Sequence, residues 1–397
     1  MQTNNPKSVS AQPKAAFYNR AEVRSTFFQI LVFIGLAYFF YTIYNNTLTN
    51  MEARGIRTGF GFMSQPAGFD ILLKLIPFEA TDSYGRTFFV GLLNTLLVSV
   101  ISIIFATLLG FLVGVSRLSN NWLVAKVATV FVETFRNIPL LLQIFFWYFA
   151  VLATLPGVRN SISFADSIFV NVRGLSVPRI VWEAGSSIVF YAFLAAIAAA
   201  FFLARWARKR QEATGEPFPS FWAGLGLLIG LPLLAFLISG MPASVDVPKL
   251  QGFGFQGGMT LIPELVALSV ALSVYTAAFI AEAVRAGVQS VSHGQVEAAA
   301  ALGLPNAKVL RFVTIPQALR VIVPPLNSQY QNLIKNSSLA MAIGYPDLVA
   351  VFMGSTLNQV GQAVEIVFLT MLVYLLINLI LSLFMNWYNA KIKLVER

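Results

Sequence analysis

The sequence predicts an all-α polytopic membrane protein of about eight transmembrane helices, on three observations. Hydrophobic residues make up 57% of the 397 and charged residues only 11%, where a soluble domain carries about 25% charged. Several windows stay apolar for roughly 20 residues, the length of helix that crosses a bilayer core. These windows lack the alternation over about 10 residues that marks a membrane β-strand.

The spans are expected at 27–44, 88–115, 139–155, 187–206, 221–239, 261–283, 337–353 and 364–387. The first follows a basic tail (Lys7, Lys14, Arg20, Arg24), as a signal peptide does. It is longer than a usual signal core and no small-x-small cleavage pattern follows, so it reads as a retained span. Segment 121–136 sets Trp122, Val124, Val127, Val130 and Phe131 near helical spacing, an interfacial helix leading into the third span. Glu133 and Arg136 stand three apart there and can pair. Beyond them, Trp147 and Tyr148 fit an interfacial aromatic belt. Spans four and five form an apolar hairpin, 187–239, peripheral to any polar path. Span six carries Glu264 near one end and Glu282 with Arg285 near the other, where an intrahelical pair is expected. Span seven is the weakest, because it holds Pro346 and Asp347.

A formal charge of +10 and a pI of about 9.8 suit nucleic acid or a membrane protein with basic inner loops. The second reading is preferred, and no nucleic acid is expected as a partner, because Lys and Arg collect on cytoplasmic loops. With both termini cytoplasmic, the inside bias of Lys and Arg is better than two to one. Cysteine is absent and histidine occurs once, as His293, which excludes thiolate chemistry and a His-rich metal site.

Between spans six and seven, on the expected cytoplasmic side, runs "GQVEAAAALGLPNAKVLRFVTIP", residues 294–316. Glu297 and Ala298 to Ala301 favour helix, Gly303 and Pro305 interrupt it, and the helix restarts at Ala307 and stops at Pro316. Small residues for close approach, a sharp turn and a rigid stop suit docking of a helix end into a partner's groove. A plain Ala-rich loop fits the composition equally well.

The spacing Glu297-Ala298-Ala299, three residues, Gly303, nine residues, then Val313-Thr314-Ile315-Pro316 resembles the EAA loop of ABC importer permeases. Further stretches are similar to the polar amino-acid uptake branch of that family: "GLLNTLLVS" (91–99), "FRNIPLLLQIFFWYF" (135–149), "YTAAFIAEAVRAGVQSV" (275–291) and "IPQALRVIVPPLNSQYQNLIKNSSLA" (315–340). The added first span, the loop containing "GFGFMSQPAGFDI" and the inserted hairpin resemble the long permeases of general L-amino-acid uptake systems. The resemblance implies a type I ABC importer permease core at 87–387, an extra span and periplasmic loop at 27–86, and cytoplasmic tails at 1–26 and 388–397. It also implies an inner-membrane location and a second, homologous permease. Two cytoplasmic ATPase subunits would engage Glu297, Ala298, Ala299, Gly303, Ile315 and Pro316. A periplasmic amino-acid-binding protein would deliver substrate. No cofactor is expected on this chain: ATP and Mg belong to the ATPases, and the sequence has no phosphate-binding loop of its own.

Asn327, Gln329, Gln331, Asn332 and Asn336 make an amide-rich face just before span seven. Such groups offer donors and acceptors to a zwitterion, and equally cement helices in a bundle. Gln143, beside Pro139, fits either role. Lys335 is expected to snorkel to the interface. Two other functions compete. An ion-gradient-driven secondary transporter would often show internal repeats and midplane acids, and neither is evident. A membrane-embedded enzyme lacks support from any metal cluster, nucleophile–His pair or cofactor loop.

Overall fold

A computed structural model describes residues 21–53, 55 and 58–392. Most of the two tails, together with Arg54 and Arg57 of the first loop, lies outside the described residues. α1 (Ala21–Ala53) runs as one long helix with the large apolar side chains between Phe27 and Tyr44 mostly exposed. α2 (Tyr84–Ser116) starts at Ser83, whose hydroxyl accepts from Arg86 N, and α3 (Trp122–Asn137) at Asn121, whose carboxamide accepts from Leu123 N at 3.0 Å. Both are side-chain N-caps that satisfy a free helix-end donor. After Pro139 the chain bends by 107° into α4 (Leu140–Phe145) and a π-turn, Phe146–Val151.

The next connection forms strands β1 (Ile162–Phe164), β2 (Ile168–Asn171), β3 (Gly174–Val177) and β4 (Arg179–Trp182). The helices α5 (Ser186–Thr214) and α6 (Ser220–Ile238) follow as a hairpin. Strands β5 (Ala243–Asp246), β6 (Lys249–Gln251), β7 (Gly254–Gln256) and β8 (Met259–Leu261) lead back. The antiparallel sheet β1-β2-β3-β8 places Leu175 opposite Leu261, two residues before α7 (Pro263–Gln289). These strands, on segments read only as connections, use hydrogen bonds between neighbouring loops to satisfy backbone that no helix satisfies. The chain closes with α8 (His293–Ala301), α9 (Asn306–Val309), α10 (Ile315–Asn336), α11 (Leu357–Val360) and α12 (Ala363–Ile392).

Among the described residues, seven helices are long and apolar enough to cross a membrane, or up to eight if the bent α3–α4 pair is one span. The core is built on α2 against α7. A Cβ on Gly110 would stand 2.6 Å from Ile280 Cβ, and one on Gly114 would stand 2.8 Å from Ala281 O. Gly-x3-Gly facing Ala277-x3-Ala281 is the small-residue contact by which membrane helices approach closely. By contrast, α5 and α6 pack on each other and otherwise bury almost none of their residues, and α1 likewise buries almost none.

One expected span moves. Residues 337–353 do not form a crossing helix: they are a 3-10 turn (Ser337–Ile343), a bend and a π-turn (Val349–Thr356). The crossing helix is the stretch Asn306–Ile343, which includes α10. Pro324 and Pro325 lie within α10 without ending it, as prolines do where neighbouring helices resatisfy the freed carbonyls. The irregular segment is held by buried polar groups. Asn94 Nδ2 donates to Leu73 O and Pro346 O, both at 2.9 Å, while Tyr345 OH donates to Asn94 O at 2.8 Å. Asp347 Oδ1 accepts from Ala350 N at 2.8 Å and Oδ2 from Tyr374 OH at 3.2 Å.

Candidate functional site

The bend after α7 is a formed elbow. Gly303 takes φ +75°. Its N–H donates to Ala300 O at 2.9 Å, and Leu304 N donates to Ala299 O at 3.3 Å. This pair of bonds is the Schellman stop, which needs a left-handed residue and therefore favours glycine. Within α8, Glu297 and Ala298 are exposed and Ala299 is buried against the elbow. Leu302, at the tip, is 82% exposed. α8 contacts the α9 turn and the π-turn Leu310–Thr314, and a Gln317–Gln295 side-chain hydrogen bond ties it to α10.

Pro316 does not stop the chain. It sits in the first turn of α10, directly after a π-turn, and the helix runs on through it. The π-turn Leu310–Thr314 just before it widens the helix there. Helix resumes at Asn306, close to the expected Ala307, and continues through exposed Ile315 to Asn336.

The amides therefore lie on a crossing helix, not ahead of one. Gln331 Nε2 donates to Asn327 Oδ1 at 3.0 Å, one turn away. Both are half-buried, as is Asn336, whereas Ser328, Asn332 and Lys335 form an exposed stripe. Tyr330 shares a 2.8 Å hydrogen bond with Thr107 and ties α10 to α2. Gln143 is elsewhere. It is 3% exposed, and its amide donates to Phe135 O and Ile138 O, both at 2.9 Å. Those carbonyls lose their helical partners at the bend, so Gln143 holds the corner.

Five charges join α2, α3 and α7 at the end nearest the elbow. Glu282 accepts from Arg285 Nη2 at 2.5 Å and from Arg117 Nη1, and Arg136 Nη1 lies 3.8 Å away. Arg117 also reaches Glu133 at 4.0 Å, with a side chain only 10% exposed. The Glu282–Arg285 pair is the expected one. The Glu133–Arg136 pair does not form, because both turn toward α2 and α7. Sequence reasoning missed Arg117 as the hub. Its signal was spacing: Gly110, Gly114 and Arg117 are four and three residues apart, one helical stripe. At the other end of α7, Tyr148 OH donates to Glu264 Oε1 at 2.8 Å, and Trp147 packs against the core. Neither ring serves as a free interfacial anchor.

A close-packed helix bundle, a crossing helix with one polar face and an elbow projecting from one end define a multi-pass membrane permease. Residues 216–394 match the family described as binding-protein-dependent transport system inner membrane component. The chain is 53% identical over 375 residues to the putative amino-acid ABC transporter permease protein YhdX of Escherichia coli K12, covering 94% of this chain and 95% of that one. It is 51% identical over 384 residues to the general L-amino acid transport system permease protein AapQ of Rhizobium johnstonii, covering 97% and 96%. It is 43% identical over 427 residues to the glutamate/glutamine/aspartate/asparagine transport system permease protein BztB of Rhodobacter capsulatus, covering 98% and 99%. The chain belongs to the amino-acid ABC transporter permeases, and is a permease subunit of an ABC importer.

Proposed function

We propose that this subunit forms one side of a pathway for L-amino acids across a bacterial inner membrane, driven by ATPase subunits that engage the elbow of α8. The polar stripe of α10 carries this reading. A helix of membrane-crossing length presents Ser328, Asn332 and Lys335 outward. Such groups facing lipid leave donors and acceptors unmatched at high cost. They suit a wet path or a second permease packed across it, with Asn327, Gln331 and Asn336 beside them.

Lys and Arg asymmetry sets the elbow in the cytoplasm and the strand-rich connections in the periplasm. The ATPases dock on Glu297, Ala298, Ala299 and Gly303, with Ile315 and Pro316 stiffening the passage into α10. Force applied at α8 passes through the π-turn to the amide-bearing helix, and the ion cluster holds α2, α3 and α7 as the frame. A periplasmic binding protein delivers substrate at the opposite end. ATP and Mg act on the ATPases.

The test is uptake of radiolabelled amino acids by membrane vesicles holding the whole assembly. Uptake is expected to require ATP and to survive collapse of the proton gradient. Uptake driven by the gradient alone, without ATP, contradicts the reading.

A further inference from the structure

The α5–α6 hairpin ends in a basic tip. The apolar run of α5 stops at Ala204, and Arg205, Arg208, Lys209 and Arg210 follow. Two acids share this tip and both are engaged. Glu212 accepts from Arg208 Nε at 3.3 Å, and Glu216 accepts from Arg210 Nη2 at 3.1 Å. Arg205 and Lys209 are exposed, four residues apart on one helix face, and neither makes an ion pair among the described residues. Like charges at that spacing repel, so the couple is unfavourable unless an anion sits between them.

The surface beside these cations is apolar. Phe202 is 66% exposed and Trp206 is 51% exposed, and helical spacing puts both on the face of Arg205 and Lys209. Arg205 leans back one turn over the Phe201 ring, 5.2 Å from its centroid, which sets its guanidinium level with the apolar shaft. α5 packs chiefly on α6, and this face stays uncovered. The inside bias of Lys and Arg accounts for the number of charges at such a tip. It does not account for an unpaired couple held against exposed aromatic rings.

A ligand for this face must be anionic at one end and hydrocarbon immediately beside it. Inorganic phosphate meets only the first condition. A zwitterionic lipid brings its own cation toward Arg205 and Lys209. We propose that this face binds an anionic phospholipid, with Arg205 and Lys209 on its phosphate, Trp206 at the headgroup boundary and an acyl chain along Phe202. The bound lipid ties the hairpin to one leaflet, in place of the bundle contacts that α5 lacks. The site rests on this helix face and not on the transport role.

The experiment is thermal unfolding of the full-length chain in detergent, titrated with dioctanoylphosphatidylglycerol, dioctanoylphosphatidylcholine or inorganic phosphate at matched ionic strength. The phosphatidylglycerol is expected to raise Tm of the native chain in a saturable way, with the other two inert. Arg205→Gln with Lys209→Gln should weaken its apparent Kd about tenfold or more, the effect of losing two cations at a headgroup. Lys126→Gln with Lys308→Gln removes the same charge from exposed lysines elsewhere. That control should change Kd less than about threefold. A second measurement needs no change of charge. Phosphatidylglycerol with brominated acyl chains should quench tryptophan fluorescence of the native chain more than brominated phosphatidylcholine does, and Trp206→Phe should remove most of that excess. Equal weakening in the two double variants overturns the site, because the attraction is then general. So does an equal response to phosphatidylcholine or inorganic phosphate, no response in the native chain, or an excess of quenching that Trp206→Phe leaves intact. Loss of the second permease from the copurified assembly of the Arg205→Gln, Lys209→Gln chain, with its lipid response unchanged, also overturns it and makes the face a protein contact.

Discussion

Gly303 separates two effects that usually arrive together. Its φ is +75° and nothing lies within 4 Å of a Cβ built on it, so any substitution costs only backbone conformation in the chain alone. Gly303→Ala should lose about 1–2 kcal/mol, and Gly303→Asn less, since Asn visits the left-handed region more readily. Gly303→Arg should be no less stable than Gly303→Ala by thermal unfolding, yet abolish ATP-driven uptake, because the clash falls on a partner. A variant that inserts and transports normally removes the docking role from this residue. Asn94 is the opposite case, fully internal. Asn94→Leu strips partners from Leu73 O and Pro346 O and should cost about 2–4 kcal/mol in unfolding measurements, the desolvation penalty of two buried carbonyls.

Among the elements, the meeting of α2, α3 and α7 depends on charge and on size. Glu282→Gln leaves Arg117 nearly buried with its main partner neutralised. The expected loss is about 2–3 kcal/mol, below the 3–5 of a fully buried pair because Glu282 is 27% exposed. Adding Arg117→Met should recover much of it, which a double-mutant cycle reads directly. Gly114→Leu, pressed against Ala281 O and Val284, should cost at least 1–3 kcal/mol and separate α2 from α7. The elbow was readable beforehand, because Ala-rich helix, Gly and Pro are local signals. α10 was not. Its polar face makes it the least apolar of the seven crossing helices, and its two prolines read as a break. Hydropathy windows pass over a span that carries one polar face. Gln143 was singled out for its polarity, but only the 107° bend revealed that its amide serves backbone carbonyls.

Across the whole molecule, a tight bundle carries two loosely attached parts, α1 and the α5–α6 hairpin. Their count and apolar character were legible, because a lipid-facing helix obeys composition alone. The strands beside them were not, since their pairing depends on loops far apart in sequence, such as Val177 with Met259. Exposed changes on the hairpin, such as Phe202→Leu, should alter neither substrate preference nor the ratio of uptake to abundance. A changed preference in competition uptake would move the hairpin into the pathway. The central claim is that the α8 elbow meets the ATPases from the cytoplasmic side, and the absence of any native cysteine makes it directly testable. With Leu302→Cys as the sole thiol on this chain, a short bifunctional reagent should join it to an ATPase subunit, with a yield that changes when nucleotide is added. A membrane-impermeant thiol reagent applied outside intact cells should leave it unlabelled. Labelling from outside, or no crosslink to an ATPase in any nucleotide state, contradicts the account.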